Sequence, residues 1–165
     1  MEISELKKQN YISVIKLEMV KEKGFSCEKS LKSSDMIVKF VGDFFSNSTK
    51  EILVVLSLDA TMKPLAVEKV AVGTLIQCLV GIPEIFRHAI VCCAANIICI
   101  HNHPSGNVQP SAEDFYVTEK LQKAGNLLGI SLQDHVIVDN DGKNYFSMAK
   151  EGCLNNGRQT ERWKE

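Results

Sequence analysis

The stretch "NIICIHNHPSGNVQPSAED", residues 96–114, sets the organisation of the chain. It opens with a continuous apolar run, which is typical of a β-strand that is buried on both faces. The run ends in two histidines, His101 and His103, and a proline and a glycine then interrupt the extended chain. Ser111 follows as the expected N-cap of a helix. The segment therefore predicts a strand, a polar loop and a helix, with histidines where the strand ends.

The flanking sequence continues this alternation of strands and helices. Strands are expected at residues 51–59, 65–73, 96–103, 130–139 and 144–149, and helices at residues 34–45, 84–94 and 111–127. Hydrophobic strands separated by single helices favour a mixed sheet with helices on both faces. Binding sites in such α/β proteins form where strands end and loops begin, which is where the two histidines lie.

The chain of 165 residues is expected to form one domain with two short flanking segments. Residues 1–33 are predicted as an N-terminal extension with a strand at 11–20. Residues 34–150 form the domain, and residues 151–165 a polar C-terminal tail. The tail is expected to be peripheral, with Trp163 as its only large apolar side chain.

Composition indicates a globular protein of ordinary type, with 45% hydrophobic and 24% charged residues. Lysine and arginine number 19 against 20 acidic residues, and no long basic block occurs, so composition gives no support to DNA binding. The six cysteines lie mostly in apolar runs, and no signal peptide is evident, so we expect reduced thiols in the cytoplasm. The longest apolar stretch, residues 89–100, is too short to cross a membrane.

Three side chains in the quoted stretch could hold a metal ion. His101 and His103 are two residues apart, so their side chains point to the same face of the strand. Asp114 falls in the first turn of the following helix. Two histidines and a carboxylate with a fourth position open form a catalytic-zinc ligand set. Ser111 and Asp114 also form a capping box, which competes for the carboxylate unless each oxygen serves one role.

A hydrolytic zinc site also needs a base that accepts a proton from water. The upstream candidates are Glu51, Asp59, Glu68 and Glu84. Glu51 opens the most hydrophobic strand, where a charged group is costly unless it has a partner. The alternative is that Glu51 is a solvated strand end beside Lys50.

These residues resemble a known motif. H-x-H-P, six residues and then S-x-x-D, with a glutamate on an earlier strand, resembles the JAMM (MPN-plus) metalloprotease motif. With "VGTL" before it and "LGISLQDHVIV" after it, the chain is similar to the bacterial RadC family of JAB domains, roughly from Ser34 to Ala149. The letters H-N-H do not indicate an HNH nuclease, in which those residues are dispersed along a ββα unit.

The resemblance implies a role for each of five residues. His101, His103 and Asp114 would be the ligands of Zn²⁺, with water as the fourth. Glu51 would be the general base, and Ser111 would help to stabilise the oxyanion. The implied reaction is hydrolysis of a peptide or isopeptide bond in a protein substrate. The implied fold is a three-layer α/β/α sandwich with a mixed sheet, similar to cytidine deaminases, and a homodimer is compatible with it.

The chain departs from the family pattern at two places. Where members often carry a His-Pro pair, this chain has Gly81 and Ile82, with Pro83 displaced by one. Full-length members also carry an N-terminal helix-hairpin-helix region, which the residues before Ser34 do not resemble. His135 matches a histidine that is often present in the family, and we expect it in the core or behind the metal ligands.

Other functions remain alternatives to a zinc hydrolase. A non-catalytic binding module is one, although such modules typically lose the metal ligands that this chain keeps. A DNA-repair-associated factor is another, suggested by the name of the family. A zinc nucleobase deaminase would need H-x-E and P-C-x-x-C, and the sequence contains neither.

Overall fold

A computed structural model describes residues 16, 20, 30–73 and 81–154. Its elements are α1 (Ser34–Val41), a 3₁₀ helix (Gly42–Phe44), β1 (Ile52–Leu58), β2 (Pro64–Val72), α2 (Ile82–Val91), β3 (Asn96–Asn102), α3 (Ala112–Leu128), β4 (Ser131–Val138) and β5 (Tyr145–Ser147). From residue 34 onward, the order of α-helices and strands is the predicted one. The strand predicted at 11–20 lies outside the described residues, apart from residues 16 and 20. None of the described helices has the length and apolar character needed to cross a membrane.

The five strands form one mixed sheet in the order β2-β1-β3-β4-β5. β1 is antiparallel to β2 and β3, β3 is parallel to β4, and β4 is antiparallel to β5. The parallel pair requires a crossover connection, and α3 supplies it. The prediction of a mixed α/β fold is confirmed.

Two hydrophobic clusters lie on opposite faces of the sheet. Side chains alternate along β1, so Leu53 and Val55 pack with α2 and α3 while Val54 and Leu56 pack with α1. All seven residues of β1 and all seven of β3 are buried. These two strands are continuous in apolar residues because helices cover both of their faces.

Two helices are shorter than predicted, for local reasons. The segment 34–45 divides at Gly42, and the 3₁₀ turn that follows closes with a hydrogen bond from Phe45 N–H to the Gly42 carbonyl. α2 ends at Val91 because Cys93 has a positive φ of 52°, which an α-helix does not accommodate. The cap of α1 is as expected, since Ser33 accepts a hydrogen bond from the backbone of Met36.

The first residues of the segment predicted as a tail pack against the core. Leu154 is 7% exposed and belongs to the cluster of α2 and α3. The backbone N–H of Cys153 donates to the Met148 carbonyl at 2.7 Å. One apolar residue in a polar stretch gives no periodic signal, so its burial depends on tertiary contacts. Trp163 lies outside the described residues.

Candidate metal centre

The histidines stand at the carboxyl end of β3, in the middle of the sheet. His101 is paired with Leu53 of β1 and with Ile137 of β4. His103 is one residue beyond the strand, and its backbone N–H donates to the Val138 carbonyl at 3.0 Å. The side chain of His101 is 4% exposed and that of His103 is 17% exposed. Both rings are therefore fixed by a buried sheet and partly shielded from water.

The loop after β3 brings the start of α3 back to the histidines. Gly106 has a φ of 78°, which favours glycine, and its N–H donates to the His103 carbonyl at 2.9 Å. The Asn107 carbonyl lies 2.6 Å from Nδ1 of His103. A carbonyl only accepts hydrogen bonds, so Nδ1 of His103 carries a proton, and Nε2 is the ring nitrogen that a neutral His103 would offer to a metal.

His101, His103 and Asp114 converge with one possible ligand atom each, all within 4.8 Å of one another. Nε2 of His101 lies 3.1 Å from Nε2 of His103 and 3.2 Å from Oδ1 of Asp114. Nε2 of His103 lies 3.7 Å from Oδ2 of Asp114. A tetrahedral ion with bonds of about 2.0–2.1 Å separates its ligands by about 3.3 Å. The spacing fits such an ion, and two imidazole lone pairs this close repel unless a cation or proton lies between them.

The two oxygens of Asp114 have different hydrogen-bond partners. Oδ2 accepts hydrogen bonds from the backbone N–H and the hydroxyl of Ser111, each at 2.7 Å. Oδ1 faces His101. Burial alone would raise the pKa of Asp114, but the hydrogen bond and charge of His101 and the hydrogen bonds from Ser111 outweigh it and lower the pKa. The carboxylate is therefore held ionised in the geometry that a metal ligand needs.

A buried pair, His135 and Thr118, lies behind His101, and the sequence predicted only the position of His135. Nε2 of His135 is 3.0 Å from Nδ1 of His101, which places His135 directly behind the triad, as expected. Nδ1 of His135 is 2.6 Å from Oγ1 of Thr118. Burial, reinforced by the charge of His101, lowers the pKa of His135 to about 3, so its ring is neutral. Thr118 was not predicted, although its position four residues after Asp114 on α3 places the two on one helix face.

Glu51 is half-buried and immediately precedes β1. The Gly73 N–H donates to its carbonyl at 2.8 Å. Glu51 precedes Leu53, the residue paired with His101, by two residues. Among the described residues, its carboxylate has no hydrogen bond and no ion pair.

The other three candidate bases are engaged elsewhere. Asp59 closes the β1–β2 turn by accepting hydrogen bonds from the backbone of Thr61 and Lys63. Glu84 is paired with Arg87 on α2 at 3.2 Å. Glu68 contacts His88, a pair that the sequence did not predict, and burial raises the pKa of Glu68 although His88 opposes this.

The departure from the family motif at Gly81 and Ile82 has a simple structural setting. Gly81 is the N-cap residue of α2 and provides no side-chain cap. Ile82 packs against the core cluster of α2 and α3. Neither residue offers a polar side chain to the triad.

Comparison with the sequences of known proteins supports the family resemblance that the motif indicated. Residues 31–153 match the family described as RadC-like JAB domain. A UPF0758 protein of Chlorobaculum tepidum is 37% identical over 152 residues, covering 92% of this chain and 68% of that protein. A UPF0758 protein of Thermotoga maritima is 44% identical over 105 residues, covering 64% of this chain and 46% of that protein.

A third relative has a similar identity and covers a similar share of this chain. A UPF0758 protein of Methanosarcina mazei is 44% identical over 105 residues, which is 64% of this chain and 45% of that protein. The chain thus spans about half the length of most of the curated relatives that it matches. The resemblance inferred from the motif is confirmed, and the chain belongs to the family of RadC-like JAB domains.

Proposed function

We propose that this chain is a zinc-dependent hydrolase of peptide or isopeptide bonds, with His101, His103 and Asp114 as the metal ligands. The observation that carries the proposal is the convergence of one possible ligand atom from each of these three residues, all within 4.8 Å of one another. The donor set is two imidazoles and one carboxylate, which suits zinc, and three protein ligands leave a position for water. Family membership supports the same assignment.

When bound, zinc would supply a Lewis acid that lowers the pKa of water to about 7. The side chains of Glu51 and Ser111 would supply the other groups that the reaction needs. Glu51 is the proposed base, because it lies two residues before Leu53, the strand neighbour of His101, and its carboxylate has no partner among the described residues. It would accept the proton of the attacking water and deliver it to the leaving amine.

Ser111 is the proposed donor to the oxyanion that forms as the carbonyl is attacked. In the structure its hydroxyl donates to Oδ2 of Asp114. Its backbone N–H donates to the same oxygen, so the hydroxyl could turn toward a substrate while the N–H keeps the carboxylate in place. Ser111 could therefore hold the Asp114 carboxylate with its backbone N–H and stabilise the oxyanion with its hydroxyl.

The proposal extends to the layering of the fold, the cellular location and the class of substrate. The sheet between α1 and the pair α2 and α3 is compatible with the three-layer arrangement of cytidine deaminases. Cys92, Cys93, Cys99 and Cys153 are free thiols, in keeping with a reducing cytoplasm. The substrate would be a peptide or an isopeptide-linked protein. A DNA-repair-associated role draws no support from the charge, which is −1 in total.

Elemental analysis of the purified protein and two variants tests the proposal. We expect about one zinc per chain in the unmodified protein and in Glu51→Gln, and none in Asp114→Ala. On a panel of peptide and isopeptide substrates, the unmodified protein should cleave and Glu51→Gln should not. Absence of zinc after incubation with it would overturn the hydrolase and favour a binding module. Full activity of Glu51→Gln would exclude Glu51 as the base.

A further inference from the structure

We infer that Asn107 is a positioning residue of the metal centre: its side chain shapes the loop after β3 so that the Asn107 carbonyl orients the ring of His103. The side chain acts through the backbone of its own residue. The inference rests on the proposed function and deepens it, because it concerns how one of the three metal ligands is held.

His103 depends on the loop because it lies outside the sheet. His101 is the penultimate residue of β3, and its neighbours on β1 and β4 fix its backbone on both sides. His103 is one residue beyond the strand, and its side chain is 17% exposed against 4% for His101. The orientation of the His103 ring is therefore set by contacts with the segment that follows the strand.

The Asn107 carbonyl provides such a contact. Its oxygen lies 2.6 Å from Nδ1 of His103. At the opposite side of the ring, Nε2 lies 3.1 Å from Nε2 of His101 and 3.7 Å from Oδ2 of Asp114. Backbone carbonyls behind a metal-binding histidine fix the orientation of its ring. The position of the Asn107 carbonyl thus directs Nε2 of His103 toward the other two ligands.

The side chain of Asn107 holds that carbonyl through a turn. Oδ1 of Asn107 accepts a hydrogen bond from the backbone N–H of Gln109 at 3.0 Å, which closes an Asx-turn. The Asn107 carbonyl belongs to the peptide that this turn encloses, so the turn restricts its rotation. Asparagine and aspartate favour such turns because their short side chains reach the backbone two residues further on.

The loop is anchored on each side of Asn107. Before it, the Gly106 N–H donates to the His103 carbonyl at 2.9 Å and closes the turn that follows the histidine. After it, Val108 is partly buried and packs against the core cluster of α2 and α3. The Asx-turn therefore orients the peptide that lies between these two anchors.

Loss of the Asn107 side chain should affect metal binding more than folding. Asn107 is exposed, so its replacement removes little from the core. Removal of a group that orients a metal-binding histidine typically lowers metal affinity by about 10–100-fold. We expect a change at the lower end of this range, because the carbonyl itself remains and only the turn that holds it is lost.

The test is a zinc titration of the full chain, in competition with a chelator of known affinity. Asn107→Ala should bind zinc about 10-fold more weakly than the unmodified protein. Its midpoint of denaturant unfolding, measured without metal, should change little. Asn107→Asp keeps an acceptor oxygen at the same place and should restore the affinity.

Asn107→Ser separates the effect of the turn from the charge that aspartate adds. Its hydroxyl is neutral and forms the same kind of turn more weakly. Its zinc affinity should therefore lie between those of Asn107→Ala and the unmodified protein. A serine variant as weak as the alanine variant, with aspartate alone restoring binding, would attribute the rescue to charge and overturn the inference.

Gln109→Ala is the matched control, because it removes a neighbouring exposed side chain and keeps the backbone N–H that closes the turn. It should bind zinc like the unmodified protein. Equal affinity of Asn107→Ala and the unmodified protein would overturn the inference, and so would an equal loss in Asn107→Ala and Gln109→Ala. If Asn107→Ala does not fold, the comparison of Asn107→Ser with Gln109→Ala decides in the same way.

The outcomes separate this inference from the proposed function. Zinc binding that is insensitive to Asn107→Ala rejects the positioning role and leaves the metal site standing. A protein that binds zinc, responds to Asn107→Ala and cleaves none of the substrates supports the positioning role and rejects the hydrolase. Absence of zinc binding by the unmodified protein rejects the metal site, and the positioning role is rejected with it.

Discussion

The side chain of Asn102 holds the backbone of Ile52: its Oδ1 accepts a hydrogen bond from the Ile52 N–H at 2.7 Å. Its Nδ2 donates to the Lys50 carbonyl at 3.2 Å and to Oδ1 of Asn140 at 2.9 Å. Lys50 and Ile52 flank Glu51. Asn102, which lies between the two histidines, thus links the carboxyl end of β3 to the segment that carries Glu51, the proposed base.

We predict that Asn102→Ala lowers the free energy of unfolding by about 2–3 kcal/mol, because buried backbone groups lose their partners. Zinc content should persist, whereas hydrolysis should fall because Glu51 is less well held. Denaturant unfolding and elemental analysis measure these effects. Asn140→Ala is the matched control, since it leaves both backbone contacts of Asn102 in place. Equal behaviour of the two variants would show that Asn102 does not position Glu51.

Ser111→Ala should distinguish the role of Ser111 as the cap of α3 from its proposed role in hydrolysis. Loss of the cap hydroxyl should cost about 1 kcal/mol of stability. Zinc should remain bound, because the backbone N–H at 111 still holds Asp114. Hydrolysis should fall on the order of 10²-fold if the hydroxyl stabilises the oxyanion.

The control for that experiment is Ser33→Ala, which removes the cap of α1. It should lower stability without changing cleavage rates. If Ser111→Ala and Ser33→Ala affect cleavage equally, Ser111 is a structural cap and no more. Thermal unfolding and initial rates are the two measurements.

Gly125→Ala should destabilise the protein, contrary to the usual effect of this change in a helix. Alanine normally gains about 1 kcal/mol over glycine in a helix interior. Here an added Cβ would fall well inside contact distance of the Ile130 carbonyl oxygen. We expect a loss of about 1–3 kcal/mol, measured by denaturant unfolding.

Gly129→Ala is a useful comparison, because its cost has another origin. Gly129 ends α3 in the left-handed conformation with a φ of 69°, and a Cβ there meets nothing within 4 Å. A loss of about 1 kcal/mol is expected from backbone strain alone. A stabilising Gly125→Ala would show that the backbone at Ile130, just before β4, can move away from α3.

Cys99 should resist thiol reagents in the folded protein, whereas Cys93 should react. Cys99 is fully buried, and burial raises the pKa of its thiol to about 12, so the reactive thiolate is absent near neutral pH. Cys93 is exposed. Labelling at pH 8 followed by mass spectrometry distinguishes them, and Cys93→Ser identifies the exposed site. Rapid labelling of Cys99 would indicate frequent opening of the sheet.

The same shift has a consequence for stability. The folded state retains the Cys99 proton while an unfolded thiol ionises near pH 8.5, about the ordinary value for cysteine. The unfolded state therefore loses protons first as the pH rises, and the protein should become less stable above that pH. Unfolding curves between pH 7 and pH 10 measure this, and Cys99→Ala should reduce the slope.

The sequence by itself determined the features that depend on neighbours along the chain. The element order and the capping box of Ser111 and Asp114 follow from periodicity and caps, which act within a few residues. The convergence of His101, His103 and Asp114 was also predictable, because a strand, one tight loop and a helix start connect them. The motif they form was specific enough to indicate the family.

Tertiary structure alone decided what depends on distant pairing. Strand register sets Leu53 beside His101, and Asn102 reaches across the sheet to Ile52. Helix packing brings Thr118 to His135, and the same packing buries Leu154. These contacts join residues separated by tens of positions, so they arise from sheet order and the need to satisfy buried polar groups. Local patterns carry no information about either, because the partners meet only when the sheet and its helices are assembled.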